Sequence, residues 1–198
     1  CEAAHQSFHD EWKTIDSDEK RKLFENLKIS LNEFANEIHS VKVLPLGGSE
    51  IPPLVQRLID YYVGKLDEPT GELLEQNDTV SSYVIKEPLG VVAIFVPFNG
   101  PLLGTILAAI PALIAGNTIV VKAPVQEAPQ ALKVLEAFNA AGFPPGVINI
   151  LSGKEVEVGK ALAEHPLIRL ISFTGNTATG KKIMASASND LKRLQLNL

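Results

Sequence analysis

The sequence predicts an α/β protein: a parallel, five-stranded sheet with crossover helices, preceded by a helical segment and an exposed strand. Three observations carry this expectation. Strand-like runs alternate with helix-like segments four times after Val91, the signature of a parallel sheet with crossover helices. Several of those runs are rich in Val and Ile without strict alternation, as in strands buried on both faces. Before them, apolar residues recur at spacings of three and four, the period of a buried helix face.

Element by element, Asp16 stands three residues before Glu19, a variant of the capping box that opens a helix. Leu23, Leu27, Leu31, Phe34 and Ile38 follow along one face, and Leu46-Gly47-Gly48 breaks the chain. A second amphipathic helix is expected over Pro53–Gly64, with Leu54, Leu58, Ile59 and Tyr62 inward. Asp67–Asp78 reads as loop, and Thr79–Lys86 alternates like an exposed strand. The five sheet strands are expected at Val91–Pro97, Thr118–Pro124, Val147–Gly153, Leu167–Gly175 and Leu191–Leu198. Helices are expected near Leu102–Ala115, Pro129–Ala141, Val156–Glu164 and Thr177–Ser188. Three units follow: residues 1–78 as a helical segment packed on the sheet domain, 79–90 as an exposed strand, and 91–198 as the sheet domain.

The chain has 198 residues, 45% hydrophobic and 21% charged, values that exclude a largely disordered chain. Its one cysteine, Cys1, permits neither a disulfide framework nor a cysteine zinc site. Nothing demands an oxidising compartment, and a cytoplasmic setting is expected. The start at Cys1, without methionine, fits a processed or trimmed product, and the stop at Leu198 inside a strand points to a fragment.

No charge occurs from Leu89 to Val121, yet Pro97–Pro101 interrupts this run and Gly116-Asn117-Thr118 closes it. The remaining apolar helix is too short for the roughly 20 residues a membrane span needs. Charge divides unevenly. Residues 1–90 hold 17 acidic and 9 basic side chains, and residues 91–198 hold 6 and 9. The second half therefore suits a small anionic ligand, but it lacks the basic and aromatic density of a nucleic-acid surface.

In a parallel sheet, ligands gather at the carboxyl ends of the strands. Gly175-Asn176-Thr177-Ala178-Thr179-Gly180 lies at such an end and opens a helix, where free amides suit a phosphate or pyrophosphate. The same spacing also describes a plain strand-to-helix turn. With Lys181 it imitates a Walker loop, but Lys182 stands where a magnesium-binding Ser or Thr is required. Asn99 follows the first sheet strand and either donates to an oxyanion or caps the helix behind it. Lys122 ends the second strand and either meets a ligand's ribose or phosphate or is simply solvated. His5 and His9 are one turn apart without the acidic partner of a zinc motif. His39 and His165 read as cations at helix C-termini. No metal is assigned.

Together these blocks resemble the aldehyde dehydrogenases. EPLGVVAIFVPFNGPLL (Glu87–Leu103), PALIAGNTIVVKAP (Pro111–Pro124), AGFPPGVINILSG (Ala141–Gly153) and ISFTGNTATGKKI (Ile171–Ile183) match successive blocks of that family. Their order and spacing are highly specific, and the match is weaker over the front helices. The resemblance implies a Rossmann-like domain binding NAD or NADP, part of an oligomerisation arm, an aldehyde substrate and a homo-oligomer. It also implies roles. Asn99 would be the oxyanion donor and Lys122 a ribose contact. Gly175, Asn176 and Gly180 would form the pyrophosphate loop beside Phe173 and Thr174. Gly159 would lie at a helix start beside the adenosine, and Pro97 and Phe98 would line the nicotinamide side.

Three departures accompany the resemblance. The family's nucleophilic cysteine lies beyond the segment present. Asn197 stands at the usual general-base glutamate, where an amide cannot take a proton. Val125 stands where a ribose-binding glutamate is frequent. The reading is the cofactor-binding part of an NAD(P)-dependent aldehyde dehydrogenase, with the 198-residue chain alone inactive. A coenzyme A-acylating relative and a non-catalytic binding or assembly module are its rivals.

Overall fold

A computed structural model describes residues 1–35, 38, 53–68, 71–97 and 101–198. Asp16 caps the helix that begins at Ser17, as the sequence predicts: its carboxylate accepts from the Glu19 amide at 2.8 Å. α1 is Glu2–Ser7, continued by a π-turn over Phe8–Trp12, and α2 is Ser17–Glu33. The α3 helix spans Pro53–Gly64 with Val55, Ile59 and Val63 buried, whereas Leu54, expected inward, is exposed. Two parallel apolar stripes, one residue apart, run along this helix, and packing selects the Val55 stripe.

The stretch expected as loop, Asp67–Asp78, instead contains strand β1, Gly71–Gln76. It pairs antiparallel with β2, Ser81–Ile85, through a turn in which Asn77 Oδ1 accepts from the Thr79 and Val80 amides at 3.0 and 2.9 Å. Backbone pairing makes this strand, since GELLEQ has no β-branched residue. The ribbon carries Leu73, Leu74, Tyr83, Val84 and Ile85 in the open.

The remaining elements alternate: β3 (Val91–Phe95), α4 (Pro101–Ile114), β4 (Thr118–Ala123), α5 (Ala128–Ala140), β5 (Ile148–Ser152), α6 (Glu155–Glu164), β6 (Ile168–Thr174), α7 (Thr177–Ala187) and β7 (Arg193–Asn197). The sheet order is β5-β4-β3-β6-β7, all parallel. β3 and β4 are buried at every position. Successive side chains take opposite faces, so Val92 and Ile94 join α2, α3, α4 and α5 in one core. Val91, Ala93 and Phe95 join α1, α6 and α7 in the other. Phe143, after α5, contacts the rings of Trp12, Phe24 and Phe138, centroids 5.8, 5.3 and 5.1 Å away, and thereby locks the front helices onto the sheet layer. Among the described residues, no helix is long and apolar enough to cross a membrane.

His165 departs from expectation. It caps the C-terminus of α6, but burial, the nearby amino terminus and Lys192 push its pKa down. Its Nδ1 accepts from the Leu167 amide at 3.2 Å, which requires the ring nitrogen to be unprotonated. Lys192 supplies the cation at this helix end instead, donating to the His165 carbonyl at 2.9 Å and to Asp190 at 2.7 Å. His39 lies outside the described residues.

Asn117 fastens the start of the sheet. Its Oδ1 accepts from the Leu89 and Gly90 amides at 2.7 and 3.1 Å, and its Nδ2 donates to the Ala112 carbonyl at 3.1 Å. Asn117→Ala strands these groups away from water, so denaturant unfolding should show a loss of about 2–4 kcal/mol. A loss below about 1 kcal/mol would remove Asn117 from this role.

Candidate functional site

The chain leaves β3 for β4 and β5 on one side, then returns to place β6 and β7 on the other. Strand order reverses at β3, and in open α/β sheets a crevice outside the carboxyl ends forms at such a reversal. The register fixes what borders it. Phe95 lies beside Lys122 on one side and Phe173 on the other, and Thr174 pairs with Asn197.

Phe95 and Phe173 meet edge to face, centroids 6.2 Å apart, both nearly buried. The glycine turn rests on this pair. A side chain at Gly175 would put its Cβ 2.6 Å from Phe173 Cζ, so only glycine lets the backbone lie on that ring. The Gly175 amide donates to the Asn197 carbonyl at 3.1 Å, which ties the turn to the end of β7. Asn176 then caps α7, its Oδ1 accepting from the Thr179 amide at 2.8 Å. Thr177 and Ala178, the first two residues of α7, keep amides that the helix itself cannot use. These amides and the positive helix end form an anion-binding surface beside the crevice. Thr174 and Asn176 are exposed there, whereas Gly180 is buried, its Cβ position 2.6 Å from Leu198 Cδ2.

Lys122 is 6% exposed, so the solvated reading of its side chain does not hold. Val125, half exposed, opens a 3₁₀ turn after β4. Gly159, expected at a helix start, is the fifth residue of α6, because that helix already begins at Glu155. Its Cβ position is 3.6 Å from Phe95 Cε1, so the helix lies close over the aromatic pair. Pro97 is half-buried just beyond β3, while Phe98 and Asn99 lie outside the described residues. Asn197 is exposed at the end of β7.

Sequence reasoning missed Glu127. Two residues past Val125, it is 2% exposed, and its Oε2 finds no hydrogen-bond donor among the described residues. No pattern in VQEAP marks the residue as buried. The carboxyl edge can thus take an extended ligand with a phosphate at the α7 end. The backbone cradle at Gly175 and the spare amides fit a dinucleotide pyrophosphate, and the buried Lys122 adds a cation to the same edge. Among the described residues, no group of three or more His, Cys, Asp or Glu side chains could hold a metal ion.

Comparison with known proteins agrees with this geometry. The profile of the aldehyde dehydrogenase family matches residues 1–198. A hydroxyisobutyraldehyde dehydrogenase of Mycolicibacterium austroafricanum is 35% identical over 95% of the chain, which corresponds to 38% of that protein. The crystal structure of PnpE from Pseudomonas sp. WBC-3 superposes with a TM-score of 0.91 at 34% identity, covering 100% of this chain and 42% of PnpE. Betaine aldehyde dehydrogenase of Staphylococcus aureus, in complex with NAD+, superposes with a TM-score of 0.89 at 29% identity, over 99% of this chain and 41% of that one. The chain therefore spans about two fifths of the length of these relatives. It belongs to the aldehyde dehydrogenase family.

Proposed function

We propose that the complete protein oxidises an aldehyde to a carboxylic acid with NAD or NADP, through a thioester on a cysteine outside this chain. The 198 residues form its cofactor-binding part and are inactive alone. The observation that carries this reading is the carboxyl edge of the sheet, where a glycine turn laid on Phe173 presents the free N-terminal amides of α7. NAD complexes among the related structures support it.

When bound, nicotinamide supplies the hydride acceptor. Gly175, Asn176 and the first amides of α7 hold the pyrophosphate beside Phe173 and Thr174, Gly180 lets α7 pack closely against Leu198 behind that turn, and Lys122 contacts a ribose. Gly159 accompanies the adenosine, and Pro97 and Phe98 border the nicotinamide. Asn99 donates to the oxygen of the aldehyde as it gains charge. Residues 1–78, apart from strand β1, pack on the cofactor domain of residues 91–198. The exposed apolar ribbon β1–β2 belongs to an oligomerisation arm, with residues 79–90 as its strand, and joins copies of the protein in a cytoplasmic homo-oligomer.

A carboxylate gripping both ribose hydroxyls would repel a 2′-phosphate. Val125 provides none, and the neighbouring Glu127 is buried. NADP should therefore bind at least as tightly as NAD in parallel titrations of the full-length protein, and strong exclusion of NADP would refute this. In the same titrations Gly175→Val should weaken both cofactors about tenfold or more, the equivalent of one charge-assisted hydrogen bond. Unchanged affinity in the folded variant would remove Gly175 from the site.

Asn197 bears on the second half of the reaction. Without a carboxylate to activate water, thioester hydrolysis should lag behind hydride transfer, by a factor of about 10²–10⁴ if general-base catalysis is lost entirely. Rapid mixing of the full-length protein with aldehyde and cofactor should show a burst of reduced cofactor and then slow turnover. Asn197→Glu should relieve the slow phase. Relief by added coenzyme A instead would favour the acylating rival, and absence of any burst a non-catalytic relative. Rapid hydrolytic turnover with Asn197 in place would contradict the role given to it.

A further inference from the structure

A second concavity lies at the opposite edge of the sheet, against the starts of β3 and β6. It has a volume of about 210 Å³ and is lined by residues 89–91, residues 166, 167 and 169, and side chains of the first helical segment. Six strand positions separate Val91 from Pro97, so roughly 20 Å divides this cavity from the cofactor edge. We propose that it is an anion site for a small carboxylate with an apolar tail.

Its polar side chains are His5, His9 and Arg169, and no carboxylate lines it. Arg169 makes no ion pair among the described residues. Its stem crosses the place where Gly90 lacks a side chain: the Cβ position of Gly90 is 3.6 Å from Arg169 Cγ, and Gly90 holds φ +117°. The positive φ favours glycine, since a side chain there would be strained, and the arginine stem lies at ordinary van der Waals distance from this position. His9 packs edge-to-face with His5 at 4.5 Å and with Phe8 at 5.0 Å.

The chemistry of the walls selects the ligand. A phosphate site ordinarily offers a nest of backbone amides. Here the Leu89 and Gly90 amides are already taken by Asn117 Oδ1. What remains is a guanidinium, whose planar fork matches a carboxylate, and imidazole N–H groups, beside the apolar residues Phe8, Leu89 and Leu167. A carboxylate head with a short hydrocarbon tail uses both halves.

Calorimetric titration of the full-length protein with hexanoate, hexanol and inorganic phosphate tests this. Hexanoate should bind saturably, with hexanol and phosphate at least about tenfold weaker. Arg169→Gln should weaken hexanoate by about tenfold or more, and His9→Gln should weaken it in the same direction. Arg169 is exposed, so the variant should keep its circular dichroism and melting temperature. Absence of saturable hexanoate binding would overturn the proposal, as would undiminished binding in Arg169→Gln. Phosphate binding as tightly as hexanoate would overturn the assignment of a carboxylate with an apolar tail.

Discussion

Parallel strands hold one another in register through evenly spaced, slanted hydrogen bonds, and a strand buried on both faces has no freedom to slip without exposing its core side chains. In this protein β3 is such a strand, buried at all five positions and flanked on both sides. Its last residue, Phe95, stands in one cross-strand row with Lys122, Leu151, Phe173 and Leu196. Every described part of the candidate site follows from that row. Lys122 belongs to it, Gly175 lies on its Phe173, and Asn197 is the next residue after its Leu196.

The row also couples two parts of the proposed chemistry. The Gly175 amide donates to the Asn197 carbonyl, so the cofactor turn and the general-base position share one hydrogen bond. A change in side chain at residue 197 leaves that backbone bond intact. The site can therefore lose a carboxylate without losing the geometry that holds a dinucleotide. In the proposed reaction, this separation of binding from proton transfer would let hydride transfer and thioester release be affected independently.

Much of this was legible in the sequence because burial imposes composition. Double-sided burial forces Val, Ile and Ala into β3 and β4, and the Asp16–Glu19 spacing reports a cap whose hydrogen bond is local. The misreadings have equally local reasons. In α3, Ile59 is buried and Tyr62 packs on the core as expected, but apolar residues on adjacent stripes leave periodicity unable to place Leu54, which is exposed, or to find Val55 and Val63, which are buried. β1 consists of GELLEQ and exists through its pairing with β2, which leaves no mark on its own residues. His165 looks like a C-terminal cation, but Lys192, distant in sequence, takes that place. The burial of Glu127 depends on how the turn after β4 folds back, which no motif encodes.

The central claim is that the carboxyl edge, organised by the Phe95–Phe173 pair, is where the cofactor binds. Hydrogen–deuterium exchange of the full-length protein with and without saturating NAD tests it most directly. The account predicts added protection at the amides of residues 175–178 and in the turn after β4, with the amino-edge residues 89–91 and 166–169 unchanged. Saturable NAD binding that leaves residues 175–178 unprotected would contradict it.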